Sequence, residues 1–336
     1  MIIILFKVFV CYLFLCLFIP LAAMGDQHFP MEKNRGSTIE PTAESAIEPK
    51  IEEKALGIVD GVHGSVSGQL IFISNYLDNF FSSERMDEES SRSKVVLSYL
   101  TGYDHYLGAS NEYVLRAQLH FPKTERRLRL VIDSSEDEVG ASEAGEPVQP
   151  EQEGKINDLK AALQYIFVKS KYWQVSTNTG IRFSVPLDPF AKLRIRRLFF
   201  VDGLTLRLTQ SVFWFTSDGW GETTSFDVER KLNDKYFFRS TSQVSAVRDT
   251  GAKTFSQSFS LFQDVGERKI MVYTLGMSAD LNSPAIVTRY YVNAHFRHNF
   301  YKKWAFYELV PGISLDRGNS FNASPGFVIR FDIVFG

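Results

Sequence analysis

From Lys94 onward, apolar residues alternate with polar ones in short stretches, and turn residues interrupt them every roughly 15–20 positions. The last stretch is the clearest. Phe327, Ile329, Phe331, Ile333 and Phe335 share one face of a period-two strand. Val328, Arg330, Asp332 and Val334 share the other. Ser324-Pro325-Gly326 reads as the turn before it. One face is wholly apolar; the other carries a cation next but one to an anion. A soluble edge strand with that apolar face would invite aggregation. A strand with lipid outside and a polar lumen inside requires it.

The alternation recurs upstream. Tyr113, Leu115, Ala117 and Leu119 oppose Val114, Arg116, Gln118 and His120. Leu193 and Ile195 oppose Lys192, Arg194 and Arg196, between a turn at Pro186-Leu187-Asp188-Pro189 and a hairpin signal at Asp202-Gly203. Leu204, Leu206, Leu208, Val212 and Trp214 oppose Thr205, Arg207, Thr209 and Ser211. Met271, Tyr273, Leu275 and Met277 oppose Ile270, Val272, Thr274, Gly276 and Ser278. The pattern predicts about 12–14 strands of roughly 9–13 residues, long enough to cross a membrane when tilted. The higher figure includes the segments from Ala161 and from Lys192 to Phe199. The fold class expected for residues 92–336 is all-β, a transmembrane antiparallel up-and-down β-barrel. An even strand number puts both barrel ends on one side and the acidic stretch from Asp133 to Glu153 on the other.

Ending as it does on an aromatic residue one short of Gly336, the stretch from Phe327 to Phe335 resembles the C-terminal assembly signal of bacterial outer-membrane β-barrel proteins. The resemblance implies insertion by barrel assembly machinery into the outer membrane, with outer-membrane lipid around the apolar face.

The chain ahead of the barrel divides in three. Residues 1–25 read as a secretory signal peptide: Lys7 is the only charge, Val8 to Leu21 is apolar, and Ala22-Ala23-Met24-Gly25 offers small residues for cleavage. An uncleaved anchor is the alternative. Residues 26–64 read as a disordered periplasmic linker, rich in Glu, Lys and Pro and too polar to bury a core. In residues 65–91, Val66, Leu70, Ile73, Leu77 and Phe80 form one face of a short amphipathic helix, followed by a charged connector. That helix caps the barrel, lies on the membrane, or docks a periplasmic partner through residues 66–81.

Composition narrows the classes. Aromatic residues make up 14% of the chain, with 29 Phe and 14 Tyr, which suits interfacial girdles. Mean hydropathy is -0.11, which argues against a helical membrane protein. A formal net charge of -2 gives no reason to expect nucleic acid as a partner. Cys11 and Cys16 both lie in the first apolar stretch, so its removal leaves no thiol for disulfides, catalysis or metal binding. No phosphate loop, dinucleotide fingerprint, zinc spacing or calcium loop is present, and no cofactor is expected.

Assigning the apolar side to lipid assigns the other side to the lumen. The ion-pathway candidates are then Arg116, Arg129, Arg182, Arg194, Arg196, Arg207, Arg289, Arg297 and Arg330, with Lys192 beside them, against Asp227, Glu229, Glu308 and Asp332. This cation excess favours a narrow porin-like channel for small anionic solutes. The competing reading is an Arg–carboxylate network bracing a closed structural or interaction barrel. A hydrolase at the outer rim is the third. His105, Ser110 and Asn111 lie close in sequence, but the spacing departs from that of phospholipase barrels, so the expectation is a non-enzyme.

Overall fold

The computed structural model describes residues 93–121, 127–134, 159–282, 284–302 and 304–335. The signal peptide, linker, amphipathic helix and most of the acidic stretch expected from the sequence lie outside them. Fourteen strands are present: β1 (Lys94–Asp104), β2 (Gly108–His120), β3 (Leu128–Asp133), β4 (Lys160–Lys169), β5 (Trp173–Arg182), β6 (Asp188–Val201), β7 (Leu204–Phe215), β8 (Gly219–Lys231), β9 (Tyr236–Val247), β10 (Lys253–Gly266), β11 (Lys269–Asp280), β12 (Ile286–Tyr301), β13 (Ala305–Asp316) and β14 (Ala323–Phe335). Each pairs antiparallel with its sequence neighbours, and β14 pairs with β1 from Val95↔Phe335 to Asp104↔Gly326. The ring is closed, and among the described residues β2 runs on past the end of β3, whose ladder with it stops at Arg116↔Asp133. Both uncertain segments form strands, β4 and β6.

Alternation sorts the side chains as a lipid-surrounded barrel requires. In β1, Val96, Ser98 and Leu100 point inward and are buried, while Leu97 and Tyr103 point outward. In β14 the outward set is Phe327, Ile329, Phe331, Ile333 and Phe335. The outward face holds large exposed apolar residues on almost every strand, among them Leu163, Leu193, Leu275 and Phe331. Outward aromatic pairs stand at both strand ends, Trp214 opposite Trp220 at one and Tyr301 against Trp304 at the other, and Tyr99 meets Tyr113 between them. Trp and Tyr are favoured at the strand ends because their rings are apolar and their tips polar. Arg197 also faces outward, its guanidinium over the Trp173 and Phe199 rings at 4.7 and 4.5 Å. The aromatic faces and the nearby strand end let a long cation snorkel there.

Two segments expected as turns extend into strand. Pro186 and Leu187 lie in the connection between β5 and β6, but Asp188 and Pro189 already belong to β6, and Ser324-Pro325-Gly326 lies in β14. A proline is tolerated at each place because the neighbouring ladder has ended. Pro325 O accepts from His105 N at 3.1 Å, one residue past β1, and Pro189 O accepts from Thr216 N at 3.1 Å, one past β7. In a strand the N–H and C=O of one residue point the same way, so the absent N–H also faces a finished strand. The reversal before β14 is instead a 3-10 turn at Arg317–Asn319. Asp202-Gly203 is the tight turn its sequence announces, with φ of 45° and 77°. In the β8–β9 turn, the Lys231 ammonium beside Asp234 holds that carboxyl below its ordinary value.

Two inward aromatics lie flat on glycines across the ladder. Gly276 pairs with Tyr291 and Gly221 with Phe213; a Cβ on either glycine would fall inside the opposing ring. Tyr291 is only 3% exposed, so it has little room to yield. Gly276→Ala should therefore cost about 1–3 kcal/mol of stability by denaturant unfolding. In a Tyr291→Ala background the same change should cost almost nothing.

Candidate luminal pathway

Every ion-pathway candidate named from the sequence has inward parity, and the register groups them into distinct assemblies. The first runs across β12, β13, β14 and β1. His295 Nδ1 lies 2.6 Å from Glu308 Oε1. Arg297 Nη1 donates to Glu308 Oε2 at 3.0 Å, and its Nη2 reaches Asp332 Oδ2 at 2.6 Å. Arg330 Nε donates to Asp332 Oδ1 at 2.7 Å and its Nη2 to Ser98 Oγ at 3.2 Å. The chain is continuous from His295 to Ser98, and Arg297 and Asp332 are 1% and 2% exposed. Burial makes such pairing obligatory, because a lone charge there would be desolvated without compensation.

The second assembly spans β7, β8 and β9. Glu229 Oε1 accepts from Arg239 Nε at 2.8 Å and lies 3.6 Å from Arg207 Nη2. Thr241 Oγ1 donates to Asp227 Oδ1 at 2.6 Å. A third set lies at the strand ends on the side opposite the barrel's two chain ends. Arg182 bonds Asp188 and lies 3.0 Å from Asp218. Arg289 Nε lies 2.7 Å from Asp316, and Ser324 Oγ donates to Asp104 at 2.7 Å. Arg116 lies apart from this set, paired in register with Val96 near the start of β1, and is 3.4 Å from Asp133.

The β6 wall differs. Lys192, Arg194 and Arg196 point inward in succession. Their cross-strand neighbours are Asn178, Ser176 and Gln174 on β5, and Phe213, Ser211 and Thr209 on β7. All six are neutral. Arg196 donates to Gln174 Oε1. Towards the Arg182 end, Phe190 stacks on Phe215 at 5.0 Å, and the Arg182 guanidinium lies 4.7 Å above the Phe215 ring. The described strands thus include ladders that carry both signs of charge and one run of three cations, on β6, whose register neighbours are all neutral.

Arg129 is 1% exposed and stands between His120 and Gln164 in the register. The structure also adds inward charges that the sequence reading missed. Asp104, Asp188 and Asp316 sit at strand ends that resembled turns, Asp133 ends β3, and Arg239 lies on β9, whose outward face is too polar to set the parity. These carboxylates narrow the cation excess read from sequence. Continuing each strand's parity one residue into its turn would have found Asp104 and Asp316.

The rim residues do not form a catalytic group. His105 lies in the β1–β2 turn, edge-on to Tyr106 at 4.8 Å. Ser110 faces inward and buried, whereas Asn111 faces outward and accepts a bond from Tyr99 OH at 2.9 Å. Adjacent strand residues point to opposite faces, so Ser110 and Asn111 cannot converge on one substrate atom. Among the described residues, no group of three His, Cys, Asp or Glu is placed to hold a metal ion.

Fourteen antiparallel strands in one ring, a lipid-type belt outside and a charged, polar interior decide the class. The chain is an outer-membrane-type β-barrel.

No family model matches it, and no curated protein matches it. Solved structures similar to it include outer-membrane porins and channels. An anion-selective porin from Comamonas acidovorans aligns over 72% of this chain and 98% of its own, with 8% identity and a TM-score of 0.44. The KdgM porin in complex with disordered oligogalacturonate aligns over 72% and 99%, with 7% identity and a TM-score of 0.36. The NanC porin aligns over 70% and 98%, with 6% identity and a TM-score of 0.38. The strand number and closure of this barrel rest on its own register.

Proposed function

We propose that this barrel sits in the bacterial outer membrane, exported by its signal peptide and inserted by barrel assembly machinery, and forms a narrow porin-like passage favouring small anionic solutes. The observation that carries the reading is the β6 wall. Lys192, Arg194 and Arg196 follow one another along a single inward-facing strand, which lines up three positive charges along the barrel wall. A row of cations in a low-dielectric enclosure attracts anions, and closely spaced sites let an ion pass from one to the next. Non-enzymatic function fits the scattered rim residues.

The direct test is conductance of the refolded mature protein in a planar bilayer under a salt gradient. Steady conductance with an anion-biased reversal potential supports the passage. Replacing Arg194 and Arg196 together by Ser should move the reversal potential towards cations. An unchanged reversal potential would remove these two residues from the pathway.

A second reading has its own observation. The His295-to-Ser98 chain of pairs and the full burial of Arg129 and Arg297 suit an interior built for bracing. On that reading the barrel is closed and serves to hold residues 66–81 for a periplasmic partner. Electrical silence of demonstrably inserted protein would favour it.

A further inference from the structure

The outward face of β7–β10 breaks the lipid-facing rule at mid-strand. Gln210, Thr224, Ser240, Ser242 and Gln257 all have outward parity, in line with Leu208, Phe226, Val244 and Phe259. They are bonded to one another in two groups. Thr224 Oγ1 donates to Gln210 Oε1. Ser242 Oγ donates to Gln257 Oε1, and Gln257 Nε2 donates to Ser240 Oγ at 3.0 Å and to Ser258 O at 3.2 Å. Across the β8–β9 ladder Thr224 pairs with Val244 and Phe226 with Ser242, which makes Thr224 and Ser242 diagonal neighbours and joins the groups into one patch.

Hydrocarbon offers no partner for the Gln210 amide N–H groups and the Ser240 hydroxyl proton, which these bonds leave over, and polar side chains on a lipid face carry a cost greatest at mid-depth. The patch lies away from both strand ends, where headgroups and aromatic girdles are found. On the strands flanking β7–β10, the outward residues in register with the patch are apolar: Ile195 on β6 opposite Gln210, and Met277 and Leu275 on β11 opposite Gln257 and Phe259.

We propose that this patch is a self-association surface, and that its occupant is a second copy of this barrel. Three features select a copy of the chain. Glutamine and serine each donate and accept, so the patch is complementary to itself across a two-fold axis. The outward side chains of β9 between Phe238 and the strand end are Ser240, Ser242, Val244 and Ala246, small enough for two walls to approach closely. Glu222 and Lys253 lie in one register row on either side of Ala246, so a two-fold copy brings each acid towards the other's base.

The test uses the full chain with Cys11 and Cys16 replaced by Ser, expressed in bacterial outer membranes. Ser242→Cys should yield an oxidative crosslink at twice the chain mass. Leu115→Cys, on β2 seven strands around the ring, should not. In lipid nanodiscs, Ser242→Leu with Gln257→Leu should convert a dimer to a monomer that keeps its heat-resistant barrel mobility on gels. Absence of the Ser242 crosslink, a crosslink to a protein of another mass, or a dimer that survives the double leucine change would each overturn the proposal.

Discussion

Asp332→Ala should destabilise the barrel by about 3–5 kcal/mol, the range for stripping one partner from a buried ion pair. Asp332 is the hinge of the β12–β1 chain of pairs. Its two oxygens serve two guanidiniums, Arg297 at 2.6 Å and Arg330 at 2.7 Å. Without it, two guanidiniums remain close together where the carboxylate stood, with Glu308 still bonded to Arg297. Asp332→Asn should cost less, since the amide oxygen can still accept one bond. Guanidinium unfolding of the micelle-refolded barrel gives the number, provided the slope with denaturant is unchanged. The result also bears on the interior itself. In a water-filled lumen the exposed pair would be worth about 0–1 kcal/mol, because solvent screens both charges. A loss that small would show that this wall is wet and would favour the open passage over the braced interior.

The fold was legible because a barrel writes its two environments into alternate residues. Fourteen such stretches stood in the sequence, and even β4, where Leu159, Leu163, Ile166 and Phe167 suit a helix, resolved once Ala162, Gln164 and Ile166 pointed inward. Inward parity of the arginines followed from the same rule. Their partners did not. Arg297 meets Glu308 and Asp332 only because β12, β13 and β14 adopt one register, and a shift of two residues would keep every parity while exchanging every pair. Strand ends were hidden for a different reason. Pro189 and Pro325 are turn formers by composition, and only the end of the neighbouring ladder reveals why strand tolerates them. Gln210 and Gln257 were hidden because the parity rule assigns polar residues inward, and these two obey the strand rather than the rule.

Removing Phe335 and Gly336 should abolish assembly in the outer membrane while leaving refolding in detergent largely intact. The two arms separate because Phe335 contributes little to the finished wall. It occupies the last rung of the β1–β14 ladder, opposite Val95, and its side chain is 56% exposed on the lipid face. Losing it removes one rung and a fraction of the roughly 1.5–3 kcal/mol that full burial of a large apolar side chain supplies. The remaining rungs, from Val96↔Val334 to Asp104↔Gly326, still close the ring. On the proposed reading of β14 as an assembly signal, Phe335 acts before closure, when β14 is still a free edge that assembly machinery can pair with. Surface protease accessibility in cells and gel mobility of the refolded protein measure the arms separately. Loss of both would assign Phe335 to barrel stability; retention of both would remove the C-terminal strand's last aromatic from recognition.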